Sequence, residues 1–429
     1  MDFQEALAYL DEHTSYHKTG RIDSPSVAPI TAICSALGDP HLAAPVIHVT
    51  GTNGKGSTVQ IISRLLAAQG LTVGTYTSPH LEHVTERFKR NGERITEQEL
   101  AEQISAVAEI AALLGANPGY FEILTAAAFR WFADIAVDVM VIEVGLLGRW
   151  DATNIVDSQV AVITNIGMDH NEFAGPSIRD VAVEKSGIVK PGSAVIVGET
   201  DPDLVEIFRH AGGATTFVRD EHFSILSNSL AVNGRLLDVR TPTTIYTDVF
   251  LPLNGAHQGD NAALALTAVE TFFAAPLPED MVVEGFAEVV MPGRFEVLGR
   301  QPLVVIDGAH NAVGADTCAS VFFGDFHPDG RRILVVGTTR DATEMLSALR
   351  ADEFDIVFVA TAPTPRAVPA SELALAAAEL GCDHVVAFDD VQSACSRAVK
   401  YADGDDAILV SGSLYTAGAA RSALQRRVN

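Results

Sequence analysis

His48-Val49-Thr50-Gly51-Thr52-Asn53-Gly54-Lys55-Gly56-Ser57-Thr58 decides how this chain is read. A short apolar run precedes it and an amphipathic one follows, so it reads as strand, loop, helix. Glycines let backbone N–H groups curl around phosphate oxygens, a lysine supplies a point charge, and hydroxyls at the helix start can face a metal. The stretch departs from the strict phosphate-loop pattern twice: Val49 stands where the first glycine belongs, and Gly56 follows the lysine in place of Ser or Thr. The hydroxyls arrive later, at Ser57 and Thr58.

Outward from this loop, apolar runs alternate with helical patterns. Val46–Val49, Val73–Thr77, Val137–Val144, Val160–Asn165 and Ala194–Gly198 are continuous enough for strands buried on both faces. Thr58–Ala68, Glu97–Leu114 and Glu122–Ile135 read as intervening helices, the rhythm of a doubly wound parallel sheet. Short alternating segments from about Thr216 to Leu251 suggest a small β-rich insert, followed by a helix around Asn261–Phe273. After the turn Met291-Pro292-Gly293-Arg294, a plausible hinge, βα alternation restarts at Leu303–Asp307, Ile333–Gly337, Ile356–Ala360, His384–Phe388 and Ala407–Ser411. The expected fold class is therefore α/β: an N-terminal P-loop domain with a parallel sheet and the insert, residues 1–292, and a C-terminal Rossmann-like domain, residues 293–429.

Length supports two domains. Acidic residues outnumber basic ones 55 to 29, for a formal net charge of −26. A general nucleic-acid binder is excluded, because a polyanion would be repelled. An anionic ligand must be captured by a local site working against the overall field. Lysines are scarce, limited to Lys18, Lys55, Lys89, Lys185, Lys190 and Lys400. Cys34, Cys318, Cys382 and Cys395 lack metal-ligand spacing and read as buried thiols in a reducing compartment. No basic leader or long apolar run is present, which points to a cytoplasmic protein without membrane partners.

Several strand ends carry chemistry. Glu143 closes the run Val139-Met140-Val141-Ile142, where a carboxylate beside a phosphate loop can hold a nucleotide-bound magnesium; it can equally face water. His170 follows the next strand, and a lone histidine is more often structural than a ligand. Ser78, in Thr77-Ser78-Pro79-His80, offers a hard oxygen or is simply part of a turn. Lys185 is a rare lysine near a helix end. Asp307 and His310, in Asp307-Gly308-Ala309-His310-Asn311, are a strand-to-loop pair that can meet a ribose, a cation or an anion, or make an Asp-Gly turn. Arg294 can reach a phosphate or form a surface ion pair. Ser413 opens a small-residue loop after the last strand.

Taken together, these segments resemble the Mur ligase superfamily, and closely its folylpolyglutamate synthase/dihydrofolate synthase branch. The phrases that carry the resemblance are collinear: residues 48–57, Thr77-Ser78-Pro79-His80-Leu81, Glu86-Arg87-Phe88 with Asn91-Gly92, and Phe121-Glu122-Ile123-Leu124-Thr125. They continue with Asp151-Ala152-Thr153-Asn154, Glu184-Lys185-Ser186-Gly187-Ile188, His257-Gln258, Asn261-Ala262, Pro292-Gly293-Arg294-Phe295-Glu296, Asp307-Gly308-Ala309-His310-Asn311, Arg366-Ala367-Val368-Pro369 and Gly412-Ser413-Leu414-Tyr415. The resemblance implies an ATP-binding domain followed by a glutamate-ligase domain. The implied enzyme is an ATP-dependent ligase that phosphorylates a folate-type carboxylate, of dihydropteroate or tetrahydrofolate, and joins it to L-glutamate.

It also implies roles. Gly51, Thr52, Asn53, Gly54, Lys55, Gly56 and Ser57, with Asn261, Arg294 and Asp307, would contact ATP. Ser78 and Glu143 would hold one Mg2+, and His170 with Glu143 a second. Lys185 falls where the family carries a lysine carbamylated by carbon dioxide, able to reach that second metal. Lys55, Lys185, His170 and Glu143 thus form the catalytic set. Phe121 and Asp151 fall at the pterin, and His310 and Ser413 on the side of the incoming glutamate. The partners implied are small molecules, and the family precedent is a monomer.

Three departures stand out. Leu147-Gly148-Arg149-Trp150 replaces the usual Gly-Gly-Arg-Leu and is expected to add bulk beside the acceptor pocket. Thr338-Thr339-Arg340-Asp341 stands where Asp-Lys-Asp is usual, and Ala312 replaces a proline. A Mur-type ligase acting on another carboxylate, or a nucleotide sensor without turnover, remains an alternative from these residues.

Overall fold

The computed structural model describes residues 1–14, 26–168 and 174–428. Compact contacts divide the chain into two units. One comprises residues 1–229, 235–252 and 258–289; the other comprises 230–234, 253–257 and 290–429.

The first unit is built on an eight-stranded sheet: β1 (Val46–Thr50), β2 (Val73–Tyr76), β3 (Phe88–Arg90), β4 (Glu93–Arg94), β5 (Val139–Glu143), β6 (Val160–Ile163), β7 (Ala194–Val197) and β8 (Thr215–Val218). The order is β4-β3-β2-β5-β1-β6-β7-β8. Only β3 runs against the others, so the β2–β3 and β3–β4 pairings are antiparallel and the rest parallel. β1 lies centrally, with Val49 opposite Glu143 on β5 and Thr50 opposite Ile163 on β6. All five β1 residues are buried, as a strand covered on both faces must be.

On one face, Val46, Tyr76, Met140 and Ile142 pack under helices Phe3–Glu12, Ala28–Ala36, Glu97–Leu114 and Tyr120–Asp134. Helix Lys55–Ala68 covers the other face, where Thr75 Oγ1 donates to Ser63 Oγ at 2.9 Å. The helix begins at Lys55, earlier than the expected Thr58, because Gly54 takes a left-handed conformation (φ 81°) that turns the chain straight into its first turn.

The β-rich insert is a separate antiparallel sheet of β9 (Ser224–Ala231), β10 (Gly234–Arg240) and β11 (Ile245–Leu251). It starts later than the sequence suggests. Thr215–Val218 is an edge strand of the main sheet, and its half-exposed Thr-Thr-Phe-Val lacks the continuous apolar run of a central strand.

The second unit holds β12 (Glu296–Arg300), β13 (Leu303–Ile306), β14 (Arg332–Val336), β15 (Ile356–Ala360), β16 (Val385–Phe388) and β17 (Ala407–Ser411), in the order β12-β13-β17-β14-β15-β16. β12 is antiparallel and the rest are parallel. Helices Ala312–Asp325, Ala342–Ala348 and Ala370–Leu380 cover one face, and Val391–Tyr401 and Leu414–Val428 the other. All four cysteines are buried free thiols. Among the described residues, no helix is long and apolar enough to cross a membrane.

Candidate active site

The phosphate loop leaves the C-terminal end of β1 and is held by the loop after β6. Thr52 N donates to the Asn165 carbonyl at 2.9 Å, and Asn53 N donates to Asn165 Oδ1 at 2.9 Å. Thr164 Oγ1 donates to the Asn53 carbonyl at 2.6 Å, and Thr52 Oγ1 donates to the Gly167 carbonyl at 3.1 Å. Two glycines are sterically required. A Cβ on Gly51 (φ 147°) would lie 1.8 Å from Thr164 Oγ1, and one on Gly54 would lie 2.5 Å from Asn261 Oδ1. Asn261, far off in sequence, is therefore brought to the loop, where Thr58 Oγ1 also approaches its Oδ1 at 3.4 Å. Gly56 and Ser57 open the helix, with Ser57 buried. Lys55 Nζ folds back to the carbonyls of Gly51 (3.0 Å) and Thr52 (3.1 Å).

Glu143 lies beside this loop, 4% exposed, and its Oε2 accepts from Ser78 N at 3.0 Å. Ser78 and Glu143 are thus brought together. Register puts Glu143 on the face of helix Lys55–Ala68, since it alternates with Ile142 on the opposite face. Lys89, paired with Thr75, shares that face. Burial, with Arg94 and Arg64 nearby, pushes its ammonium down to about 8, while Glu86 and Glu143 act in the opposite sense.

Lys185, 4% exposed, sits in the last turn of helix Ile178–Ser186 and donates from Nζ to the Gly51 carbonyl at 2.7 Å. His170 lies outside the described residues. Among the described residues, no three His, Cys, Asp or Glu side chains cluster as a metal cage.

Phe121 sits in the first turn of helix Tyr120–Asp134, its ring against Gly145, where an added Cβ would approach within 2.4 Å. Asp151 is buried, and its carboxylate is engaged by its own loop. Oδ2 accepts from Leu146 N at 2.7 Å; Oδ1 accepts from Thr153 N at 3.0 Å and Thr153 Oγ1 at 2.5 Å. Burial raises its pKa against the lowering effect of these donors. Leu147, expected to add bulk beside the acceptor pocket, is a core residue. Its backbone is left-handed (φ 57°), and its side chain packs inward with Val144, Ile163, Ile166 and Val181. Trp150, by contrast, is 51% exposed.

In the second unit, Asp307 also serves its own loop: Oδ2 accepts from Phe295 N and Oδ1 from Ala309 N, both at 2.8 Å. Arg294 Nη1 donates to the Gly308 carbonyl at 3.3 Å, and His310 Nδ1 lies 3.1 Å from the same oxygen. Arg294, Asp307 and His310 are therefore neighbours. Ser413 lies after β17, fully buried; its Oγ donates to the Gly337 carbonyl at 3.1 Å and accepts from Thr416 N at 3.1 Å, capping the last helix.

Sequence reasoning passed over His48 and Thr50, the polar residues of an otherwise apolar central strand, and their partner Thr153. Thr50 Oγ1 donates to the Leu147 carbonyl at 2.6 Å, and His48 Nε2 lies 2.8 Å from Thr153 Oγ1. Two polar side chains within a fully buried run were the available signal.

Comparison with known proteins gives these sites a family. Residues 49–269 match the Mur ligase middle domain, and residues 293–414 match the Mur ligase glutamate ligase domain. The fold and the loop thus define a Mur-type ligase architecture. A dihydrofolate synthase/folylpolyglutamate synthase of Mycobacterium tuberculosis is 37% identical over 447 residues, spanning 95% of this chain and 91% of the relative. The structure of Mycobacterium tuberculosis folylpolyglutamate synthase complexed with ADP superposes with a TM-score of 0.91 at 36% identity, covering 98% of this chain and 97% of that one. Escherichia coli FolC in complex with DHPP and ADP gives a TM-score of 0.88 at 28% identity, covering 100% and 99%. The chain belongs to the folylpolyglutamate synthase/dihydrofolate synthase family of Mur ligases.

Proposed function

We propose that this protein is an ATP-dependent carboxylate–amine ligase that adds L-glutamate to a folate-type carboxylate. The observation that carries the reading is the phosphate loop on central β1, with Lys55 folded over it and Glu143 directly across the β1–β5 register. Its substrates are small molecules: ATP, L-glutamate, and dihydropteroate or a reduced folate.

The chemistry explains the residues. The acceptor carboxylate oxygen attacks the γ-phosphorus, and the bond to the β-phosphate bridging oxygen breaks, releasing ADP. The glutamate amine, having lost a proton, attacks the acyl carbon, and the carbon–oxygen bond to phosphate breaks. Negative charge accumulates at each stage and must be met by fixed donors. The loop N–H groups of residues 51–57 that Asn165 does not already engage, with Lys55, would cradle the phosphates, with Asn261 holding the loop's shape. Arg294 and Asp307 are assigned to the nucleotide, His310 and Ser413 to the incoming glutamate, and Phe121 with the loop closed by Asp151 to the pterin.

The donors fit magnesium. Glu143 and Ser78 supply hard oxygens beside the loop, and Mg2+ is commonly held by one or two carboxylates with the rest of its shell from phosphates and water. Bound there, the ion would neutralise phosphate charge. The second site would draw on Glu143, His170 and a carbamylated Lys185. A cytoplasmic monomer remains the expected form.

The test is purified protein with ATP, Mg2+, L-glutamate and either dihydropteroate or tetrahydrofolate, followed by mass spectrometry. Gain of one glutamate residue on either acceptor supports the reading. No gain on either, with phosphate release requiring some other carboxylate, overturns the folate assignment.

A further inference from the structure

The stretch 146–154 is fastened to the phosphate-loop strand from inside the protein. β1 places His48 and Thr50 on the same face, both with no exposed surface. Thr50 holds the Leu147 carbonyl, and His48 holds Thr153, which in turn holds Asp151.

Proton bookkeeping fixes the direction of this chain of hydrogen bonds. The Thr153 hydroxyl has one proton, and it is donated to Asp151 Oδ1. His48 Nε2 must then carry the proton donated to Thr153, which leaves Nδ1 bare. Nδ1 is indeed buried without a partner, as suits a neutral ring. Lys190, which lies on the far side donating to the Asn154 carbonyl at 2.9 Å, also disfavours a charged ring.

Asp151 in turn accepts from Leu146 N and Thr153 N, closing residues 146–153 into a rigid loop. Its oxygens are directed to the protein's own donors. The loop's outer side carries Trp150 to solvent, and Arg149 N meets the Glu184 carbonyl at 3.0 Å, beside Lys185. A valine at 153 would fill the same volume but leave His48 Nε2 and Asp151 Oδ1 each short of a partner, so the hydroxyl does more than fill space.

We infer that Thr153, backed by His48, is a positioning residue for the acceptor: through Asp151 it sets the 146–153 loop against the strand that bears the nucleotide loop. The inference rests on the ligase reading both for the identity of the acceptor and for the assignment of this loop to it.

The experiment uses a Trp131→Phe background, which leaves Trp150 the sole indole. Thr153→Val, Thr153→Ala and Thr153→Ser are compared for acceptor and ATP KM, ADP affinity by calorimetry, and acrylamide quenching of Trp150. Thr153→Val and Thr153→Ala should raise the tetrahydrofolate or dihydropteroate KM about tenfold or more and increase quenching, with ADP affinity changed less than about twofold. Thr153→Ser, which keeps the hydroxyl, should stay within about twofold of the parent in every readout. The inference is overturned if acceptor KM and ADP affinity weaken together, if Ser behaves as Val does, or if Val and Ala change neither KM nor quenching. Should the parent ligate neither acceptor, the ligase reading fails; quenching and ADP affinity then decide the loop's attachment by themselves, unchanged quenching overturning it.

Discussion

Lys55 and Lys185 donate to the same acceptor, the carbonyl oxygen of Gly51, at 3.0 and 2.7 Å. One comes from the helix that the phosphate loop starts, the other from a helix far along the chain. As ammonium groups the two would repel each other at this oxygen, and carbamylation of Lys185, which replaces one cation by an anion, would remove that repulsion.

Lys55→Met should therefore lower ATP turnover by about a thousandfold, the scale of losing a principal phosphate-charge stabiliser. Lys185→Ala should lose activity to a similar degree, and acetate at high concentration should restore part of it by standing in for the carbamate. Phosphate-release assays with and without acetate check both. Full activity of Lys185→Ala without acetate would remove that lysine from the chemistry, and absence of rescue by any small carboxylate would leave no support for carbamylation.

Leu147 sets two terms against each other. Its left-handed backbone costs about 1–2 kcal/mol, which glycine would recover. Burial of its side chain contributes about 2–3 kcal/mol, and a cavity would add to the loss. Leu147→Gly should be destabilising by about 1–3 kcal/mol, since burial outweighs strain. Urea unfolding at constant m-value measures this; a stabilised variant would mean that strain dominates.

His48 predicts a pH dependence of stability. Burial, then the charge of Lys190, holds its imidazole down to about 3. An unfolded histidine titrates near 6.5, so between these values the unfolded chain binds a proton that the folded one refuses. Stability should fall as pH drops from about 6.5 towards about 3, by up to about 1.4 kcal/mol per pH unit from this residue. His48→Gln should show a shallower slope in unfolding measured at pH 5, 6 and 7. Equal slopes would contradict the assignment.

The excess of acidic residues predicts a response to salt. Screening relieves self-repulsion of the folded state. The melting temperature should rise by about several degrees between low salt and 1 M KCl, read by calorimetry at one scan rate. A flat or falling trend would show that repulsion is already locally compensated.

Much of the architecture was legible because central parallel strands are continuous apolar runs: Ile356–Ala360 and Ala407–Ser411 fall where the pattern puts them. Edge strands were less so, although Val385–Phe388 was placed. Thr215–Val218 is half exposed, and Glu296–Arg300 carries a register irregularity and polar ends. Lys55 and Glu143 were legible as neighbours at the C-terminal ends of β1 and β5 because charged residues are out of place beside apolar strands, whereas Asn261 came only through the resemblance. The engagement of Asp151 was not, because its partners are mostly backbone N–H groups, which every sequence supplies and none advertises. The inward packing of Leu147 was not legible, because a reversal of backbone handedness, invisible in composition, turns its bulk into the core.

The loop that carries Trp150 outward is clamped from within by buried residues. Such a construction separates what must be kept from what can vary. The indole can be exchanged for other side chains while the clamp and the phosphate loop stay as they are. A lineage adapting to a new carboxylate, or an engineer seeking one, would therefore find at position 150 a place to explore that leaves the ATP chemistry intact.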